Sequence, residues 1–226
     1  MKRRPGLQDK WGHVVDSLQR IIPAYERGSR AISLFSDRRM RDEAASFAVS
    51  EGEMVLDLGA GPGAMSKLVE ERGGRPVLLD VSRDMLSASS FVNRVQGTFE
   101  DLPFKDCAFD AVVSGFAVRD SRDLLQALSE VARVVKRGGK FGFCDLGRPN
   151  APLKDIAVAF YMRVAPSVIG LITAGSQGLM FGSLFDTYVL LYHNSDLESL
   201  LSLRFQTELH ETQLGGSVVF KCSKPR

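Results

Sequence analysis

Three glycines and two acids carry the chemistry that this 226-residue chain can be expected to perform. Residues 54–66 read MVLDLGAGPGAMS: a short apolar run ends in Asp57, and Gly59, Gly61 and Gly63 lead into the helical pattern of Met65, Leu68 and Val69. The spacing predicts a strand, a tight turn and the start of a helix. Glycine admits positive φ and close approach of the backbone to a ligand, and Pro62 suits a first helical position, where a missing N–H costs nothing. A small molecule is therefore expected on this turn. Gly59-x-Gly61-x-x-Ala64 also fits a dinucleotide fingerprint, with Asp80 about where that fingerprint places its ribose-binding acid. The glycines alone do not choose. Asp57 favours one side, because a carboxylate at the strand end repels a pyrophosphate and attracts a cation. S-adenosylmethionine carries an ammonium and a sulfonium and is the better match. The competing role for Asp57 is to cap the turn or the following helix.

The second acid closes the next strand. Residues 76–81 (PVLLDV) present Asp80 at their end, placed to accept both hydroxyls of an adenosine ribose. Ser82 is the better cap for the helix that follows, which leaves Asp80 for the ligand. Val81 and Met85 would flank the adenine ring with apolar surface.

The elements that position these residues alternate. After the opening turn a helix runs to about Arg72, the second strand follows, and residues 93–97 (NRVQG) and 109–115 (FDAVVSG) read as the third and fourth strands. Leu124, Leu128, Val131 and Val135 give a strong helical face, which is expected to end on Lys136 and Arg137 before Gly138-Gly139, with cations at the carbonyl end. Residues 140–146 (KFGFCDL) make a fifth strand. Such alternation predicts a parallel, doubly wound α/β sheet with its ligand at the carboxyl ends of the strands. Before it, residues 1–53 carry helical patterns broken near Pro23 and Gly28, with Tyr25 at the break, that would pack over the cofactor end. Beyond residue 151 the alternation stops. Residues 164–185 carry no charge, yet glycines, serines, Pro166 and Gln177 dilute the hydrophobicity, so a spanning helix is not expected. A greasy-lined lid and a core helix with a glycine-rich turn are both open there. Residues 203–210 and 217–222 read as an antiparallel pair joined at Gly215-Gly216, completing the far edge of the sheet.

Composition narrows the partners. The chain is 44% hydrophobic and 25% charged, with a formal charge of +2, which is ordinary for a globular protein. Lys2, Arg3 and Arg4 open it, but no basic stripe with interleaved aromatics follows, and nucleic acid is not expected as a partner. Cys107, Cys144 and Cys222 lack paired spacing and His13, His193 and His210 are scattered, so no metal is expected. The N-terminus lacks the apolar core of a signal peptide, and a cytoplasmic location is expected.

With these residues in hand, the chain resembles the class I S-adenosylmethionine-dependent methyltransferases. DLGAGPG, Asp80, EDLPF and VVKRGGKF occur in order across residues 55–146. Within that class it is most similar to the ubiquinone and menaquinone biosynthesis C-methyltransferases, on Phe116-Ala117-Val118-Arg119-Asp120, residues 188–191 and the closing GGSVVFKCSK. The resemblance implies a single domain with a Rossmann-like seven-stranded sheet whose last strand is antiparallel. Its parts would be a helical N-terminal cap (1–53), a cofactor-binding core (54–150), a helical lid and substrate region (151–200) and the C-terminal strand pair (201–226). Carried over by residue, it sets Gly59, Ala60 and Gly61 against the methionine portion and Asp80 on the ribose. Thr98, Phe99 and Glu100 fall by the adenine, Gly115 beside the sulfonium, and Arg119 toward the substrate ring. The family commonly has an amide or acid at Thr98, glycine at Ala117 and asparagine at Asp120.

The implied acceptor is a small, apolar, prenylated quinol such as demethylmenaquinol. A transient contact with a membrane surface and a homodimer are both compatible with it. A ring carbon becomes nucleophilic when the adjacent hydroxyl loses its proton, which calls for a base and a phenolate-stabilising cation. Asp120 and Arg119 are the candidates, against the alternative that they simply pair with each other; Asp145, Tyr192 and His193 rank below Asp120 as base. The rival readings are O- or N-methylation of another metabolite or lipid, a non-catalytic binding or assembly protein, and an NAD-dependent oxidoreductase.

Overall fold

The computed structural model describes residues 36–175 and 182–226, together with 12, 31 and 32. The helices expected before residue 36, with Tyr25 and His13, lie outside the described residues, as do residues 176–181. From residue 37 the order is α1 (Asp37–Ala48), β1 (Met54–Leu58), α2 (Ala64–Glu71), β2 (Arg75–Asp80), α3 (Arg83–Ser87), β3 (Arg94–Gln96) and β4 (Phe109–Gly115). A 3₁₀ turn (Val118–Asp120), α4 (Leu124–Val134), β5 (Val135–Leu146), α5 (Pro152–Ala174), α6 (Ser183–Tyr188), α7 (Asn194–Ser202), β6 (Gln206–Thr212) and β7 (Ser217–Ser223) follow.

The seven strands form one sheet in the order β3-β2-β1-β4-β5-β7-β6. β1 to β5 are mutually parallel, and β7 runs antiparallel to both β5 and β6. The strand order reverses between β2 and β4 on either side of β1, so a crevice opens above the carboxyl ends of β1 and β4.

Alternation along each strand divides the core in two. Val55, Ala111, Val113 and Val219 face α1 and α2, where they meet Met40, Ala44, Met65 and Val69. Leu56, Leu58, Val112, Phe141, Phe143 and Phe220 face the other way, onto Leu128, Val131 and Val134 of α4 and Leu201 of α7. Successive residues of a strand point to opposite faces, so a sheet covered on both sides has near-continuous apolar strands. The Phe141, Phe143 and Phe220 rings stack with centroids 4.7 and 4.9 Å apart.

β6 lies at Gln206–Thr212 rather than 203–210, and two larger differences from the sequence reading follow. The chain passes from α4 directly into a 12-residue β5, so Lys136 and Arg137 belong to the strand and do not cap the helix. Lys136 instead reaches Asp110 on β4, Nζ to Oδ1 2.5 Å. The bend that a free helix end would have made is absorbed as a register shift, with Phe109 opposite Val135 but Ala111 opposite Lys140. The second difference is α5, which begins at Pro152 and continues through Pro166 for 23 residues. The helical pattern expected from residue 164 therefore starts a dozen residues earlier. Its stretch Pro152–Ile172 is the one helix among the described residues long and apolar enough to cross a membrane.

Candidate active site

The glycine turn is tied to β2 before any ligand is considered. The Gly59 and Ala60 amides both donate to the Leu79 carbonyl, at 2.9 and 3.0 Å. The hydroxyl of Ser114 on β4 donates to the Leu58 carbonyl at 2.6 Å. Gly59 has φ +72° and no room for a side chain: a Cβ there would overlap that of Ala117 and lie 2.9 Å from the Phe99 ring. Gly61, with φ +52°, has nothing within 4 Å of its Cβ position. One glycine is required by packing and the other opens onto space.

That space is a cavity of about 360 Å³, lined by Gly59, Ala60, Gly61, Asp80, Val81, Ser82, Met85, Gly115, Ala117 and Asp120, with Asp37, Arg38 and Arg41 from α1. It lies at the topological switch point and has the size of a small-molecule site. Asp80 sits at its rim with one oxygen accepting from the Gly61 amide (2.8 Å) and the other from the Ser82 amide (2.8 Å). Each carboxylate oxygen has a second lone pair, so two ribose hydroxyls can still be accepted. Burial raises the Asp80 carboxyl above its ordinary range, against those amides. Ser82 caps α3 through Met85, as its place in the sequence suggests.

Asp57 is the first correction. Its side chain is wholly buried beneath the turn and does not line the cavity. Oδ2 accepts from the Ser66 hydroxyl of α2 at 2.6 Å, which fixes the start of that helix. Burial pushes its pKa up to about 6, although the Ser66 hydroxyl and the Arg41 charge pull it down. The acid expected to attract a cation instead ties α2 to the sheet, because β1 is an interior strand whose last residues are covered on both faces.

Thr98, Phe99 and Glu100 are also absent from the cavity wall. Thr98 pairs with Asp101 across a short bridge. Glu100 Oε1 accepts from the Arg122 and Asp123 amides, at 2.5 and 2.9 Å, and so anchors the approach to α4. Phe99 packs behind Gly59 as part of the sheet core. Val81, Ser82 and Met85 stand on that side of the cavity instead.

Arg119 and Asp120 form an ion pair, as the alternative reading had it, but they face different pockets. In a 3₁₀ turn successive residues point about 120° apart, and here Asp120 lines the main cavity while Arg119 lines a narrow second pocket of about 40 Å³. Arg119 is held from several sides. Nη1 donates to Asp145 Oδ1 and to the Phe116 carbonyl, both at 2.6 Å, and the backbone amide donates to Asp145 Oδ2 at 2.9 Å. Its contact with Asp120 is longer, 3.5 Å. Asp145 is thereby committed to Arg119 and to the Leu146 amide, which removes it as a base. His193 lies against the Pro149 carbonyl, Nδ1 to O 2.8 Å, and Tyr192 lines the narrow pocket. Burial raises the Asp120 carboxyl to about 6, with Asp145 and Asp80 pushing the same way and Arg119 opposing. A carboxylate titrating there accepts a proton far more readily than an ordinary one.

The sequence reading missed the contribution of α1. Arg41 Nη1 donates to the Gly115 carbonyl at 3.1 Å and its guanidinium lies over the Phe116 ring at 5.0 Å. A Cβ on Gly115 would collide with it. Asp37 and Arg41 lie on the same stripe of α1 as the buried Ala44, Ala45 and Ala48, one to two turns nearer its start, and charges on that apolar stripe were the available signal.

A glycine turn at the switch point and a rim acid with spare acceptor capacity fit an adenosyl methyl donor. The comparisons agree. Residues 56–143 match the methyltransferase domain family. An S-adenosylmethionine-dependent methyltransferase of Thermotoga maritima has the same fold, with a TM-score of 0.66 over 92% of this chain and 98% of that one at 18% identity. Fold and site thus define an S-adenosylmethionine-dependent methyltransferase. The demethylmenaquinone methyltransferase of Clavibacter sepedonicus is 33% identical over 77% of this chain and 75% of its own length. The ubiquinone/menaquinone biosynthesis C-methyltransferase of Geobacter sulfurreducens is 28% identical over 93% and 87%. The chain belongs to the family of these quinone-biosynthesis methyltransferases.

Proposed function

We propose that the protein transfers a methyl group to a ring carbon of a prenylated quinol such as demethylmenaquinol, acting from the cytoplasm. The observation that carries the reading is the position of Asp120: a part-buried carboxyl, its pKa raised to about 6, on the wall of the cofactor cavity and next to a fixed guanidinium. Asp120 takes the proton of the acceptor hydroxyl, and the phenolate charge passes to the adjacent ring carbon. The bound donor supplies an electrophilic methyl on a cationic sulfur. After transfer the ring carbon's hydrogen leaves as a proton to solvent, which restores the aromatic ring, and Asp120 returns the first proton to the ring oxygen. Arg119, immobilised by Asp145 and the Phe116 carbonyl, presents a cation that favours the phenolate. Alignment of carbon and methyl supplies much of the remaining rate, so a rigid wall matters more than an added functional group.

Within the cavity, Gly59, Ala60 and Gly61 take the methionine portion, Asp80 the ribose, Val81 and Met85 the adenine, and Gly115 borders the sulfur. Residues 54–150 act as the cofactor half and 151–200 as the acceptor half, a division supported by the narrow pocket that joins Arg119 to Thr187, Leu191 and Tyr192. The test is incubation with isotopically labelled donor and a short-tailed demethylmenaquinol, with the product analysed by mass spectrometry and NMR. A new carbon-bound methyl on the ring is expected. Methyl on oxygen or nitrogen, or donor binding with no product, would overturn the proposal.

A further inference from the structure

We infer that α5 docks the enzyme flat on an anionic lipid bilayer, with one apolar face as the contact. Leu153, Ile156, Phe160, Val164, Val168 and Leu171 recur at three and four along the helix and are all exposed, Leu153 by 83% and Phe160 by 71%. They form a single stripe about 28 Å long. The opposite side is packed within the protein: Val158 and Met162 are buried against Tyr188, next to Leu146 and Leu191. Because that side is committed, the helix can lie in an interface but cannot cross a membrane.

The charges select the occupant. At 100° per residue Lys154 and Arg163 fall on opposite edges of the stripe, and both are exposed. The only acid on the helix, Asp155, is turned inward, Oδ2 3.1 Å from Arg148 Nη2 and Oδ1 2.6 Å from the Tyr188 hydroxyl. An apolar stripe edged by two cations matches an anionic bilayer, where long basic side chains reach headgroups while their stems lie on apolar surface. Leu146 and Leu191 also line the narrow pocket beside Arg119, so the docked face lies one helix thickness from the site. A prenylated acceptor partitions into the same bilayer; this part of the inference rests on the proposed function, whereas docking itself needs no acceptor.

Co-sedimentation with vesicles of phosphatidylcholine and phosphatidylglycerol (3:1), and with phosphatidylcholine alone, is the test. Wild type should pellet with the anionic vesicles. Ile156→Asp/Phe160→Asp should lose more than about ten-fold in affinity. Lys154→Ala and Arg163→Ala should each lose about five-fold, on the anionic vesicles only and at low salt. Val92→Asp, at an equally exposed apolar residue in a different part of the chain, should bind vesicles as wild type does. All variants should bind S-adenosylmethionine with unchanged affinity, which certifies the fold. Wild type left in the supernatant, or a wild-type dimer in light scattering that Ile156→Asp/Phe160→Asp converts to monomer without any vesicle binding, would overturn the inference. Vesicle binding without quinol methylation would sink the acceptor proposal and leave docking intact.

Discussion

Replacing Gly59 with alanine should cost this protein a large share of its stability, and the structure says where the cost arises. The residue has φ +72°, and an L-residue held in the left-handed region costs about 1–2 kcal/mol. The new methyl would also overlap the Ala117 methyl and press on the Phe99 ring at 2.9 Å, an overpacking that typically costs about 1–3 kcal/mol. Together these give roughly 2–5 kcal/mol, or about 10 °C in melting temperature for a chain of this size. Ala117→Gly removes the hardest of the two contacts. The double variant should therefore regain about half the loss, because the φ strain stays while the collision with residue 117 is relieved. A double-mutant cycle read by thermal denaturation isolates that coupling, and titration with S-adenosylmethionine should track it, since the turn is the floor of the cavity. A loss under about 2 °C for Gly59→Ala, or effects additive within about 0.5 kcal/mol, would refute the packing account of the turn.

Four further outcomes are expected. Asp80→Ala should weaken S-adenosylmethionine by at least about a hundred-fold in calorimetry, since two hydrogen bonds to a charged group are removed; unchanged affinity would dismiss it as the ribose acceptor. Asp120→Asn should bind the donor normally and lose the acid limb of the kcat/KM profile, which wild type should show near the Asp120 pKa of about 6; the same limb in the variant would assign the base elsewhere. Arg119→Ala should destabilise by about 3–5 kcal/mol in chemical denaturation, because it leaves Asp145, 4% exposed, buried without its partner; a loss under about 1 kcal/mol would contradict the described pairing. Asp57 has a folded pKa of about 6 against 3.8 for the free group, so the folded state holds the proton more tightly. Its contribution is therefore full below pH 3.8 and is lost as pH rises to about 6. Asp57→Asn should flatten that decline in urea titrations at pH 4.5 and 7, and an unchanged slope would refute the assignment.

Much of the sheet was legible in the sequence because its determinants are local. β4 was readable to the residue, since a short β-branched run between turn signals is too brief for a helix. The antiparallel β6–β7 pair was legible from two β-rich runs around Gly215-Gly216, although the first was read three residues early. The β5 boundary was not legible: Lys136, Arg137 and two glycines mark a helix end in most chains. Here the pairing of Val135 with Phe109 outweighed that local preference.

For the site, local sequence is enough to place the glycine turn, the acid closing β2 and the acid after β4, because each is fixed by the strand end that carries it. Only the tertiary structure decided which of the charged residues reach the cavity. Asp57 and Asp80 end adjacent strands and look alike in sequence, yet Ser66 from α2 closes over the first while the second stays at the rim. Arg119 and Asp120 are neighbours in the chain, but a 3₁₀ turn and the buried Asp145 send them into different pockets. Arg41 arrives from a helix before the first strand, a placement set by which face of α1 the sheet buries. Side-chain type and spacing report what a residue can do; burial and packing across distant segments settle where it does it.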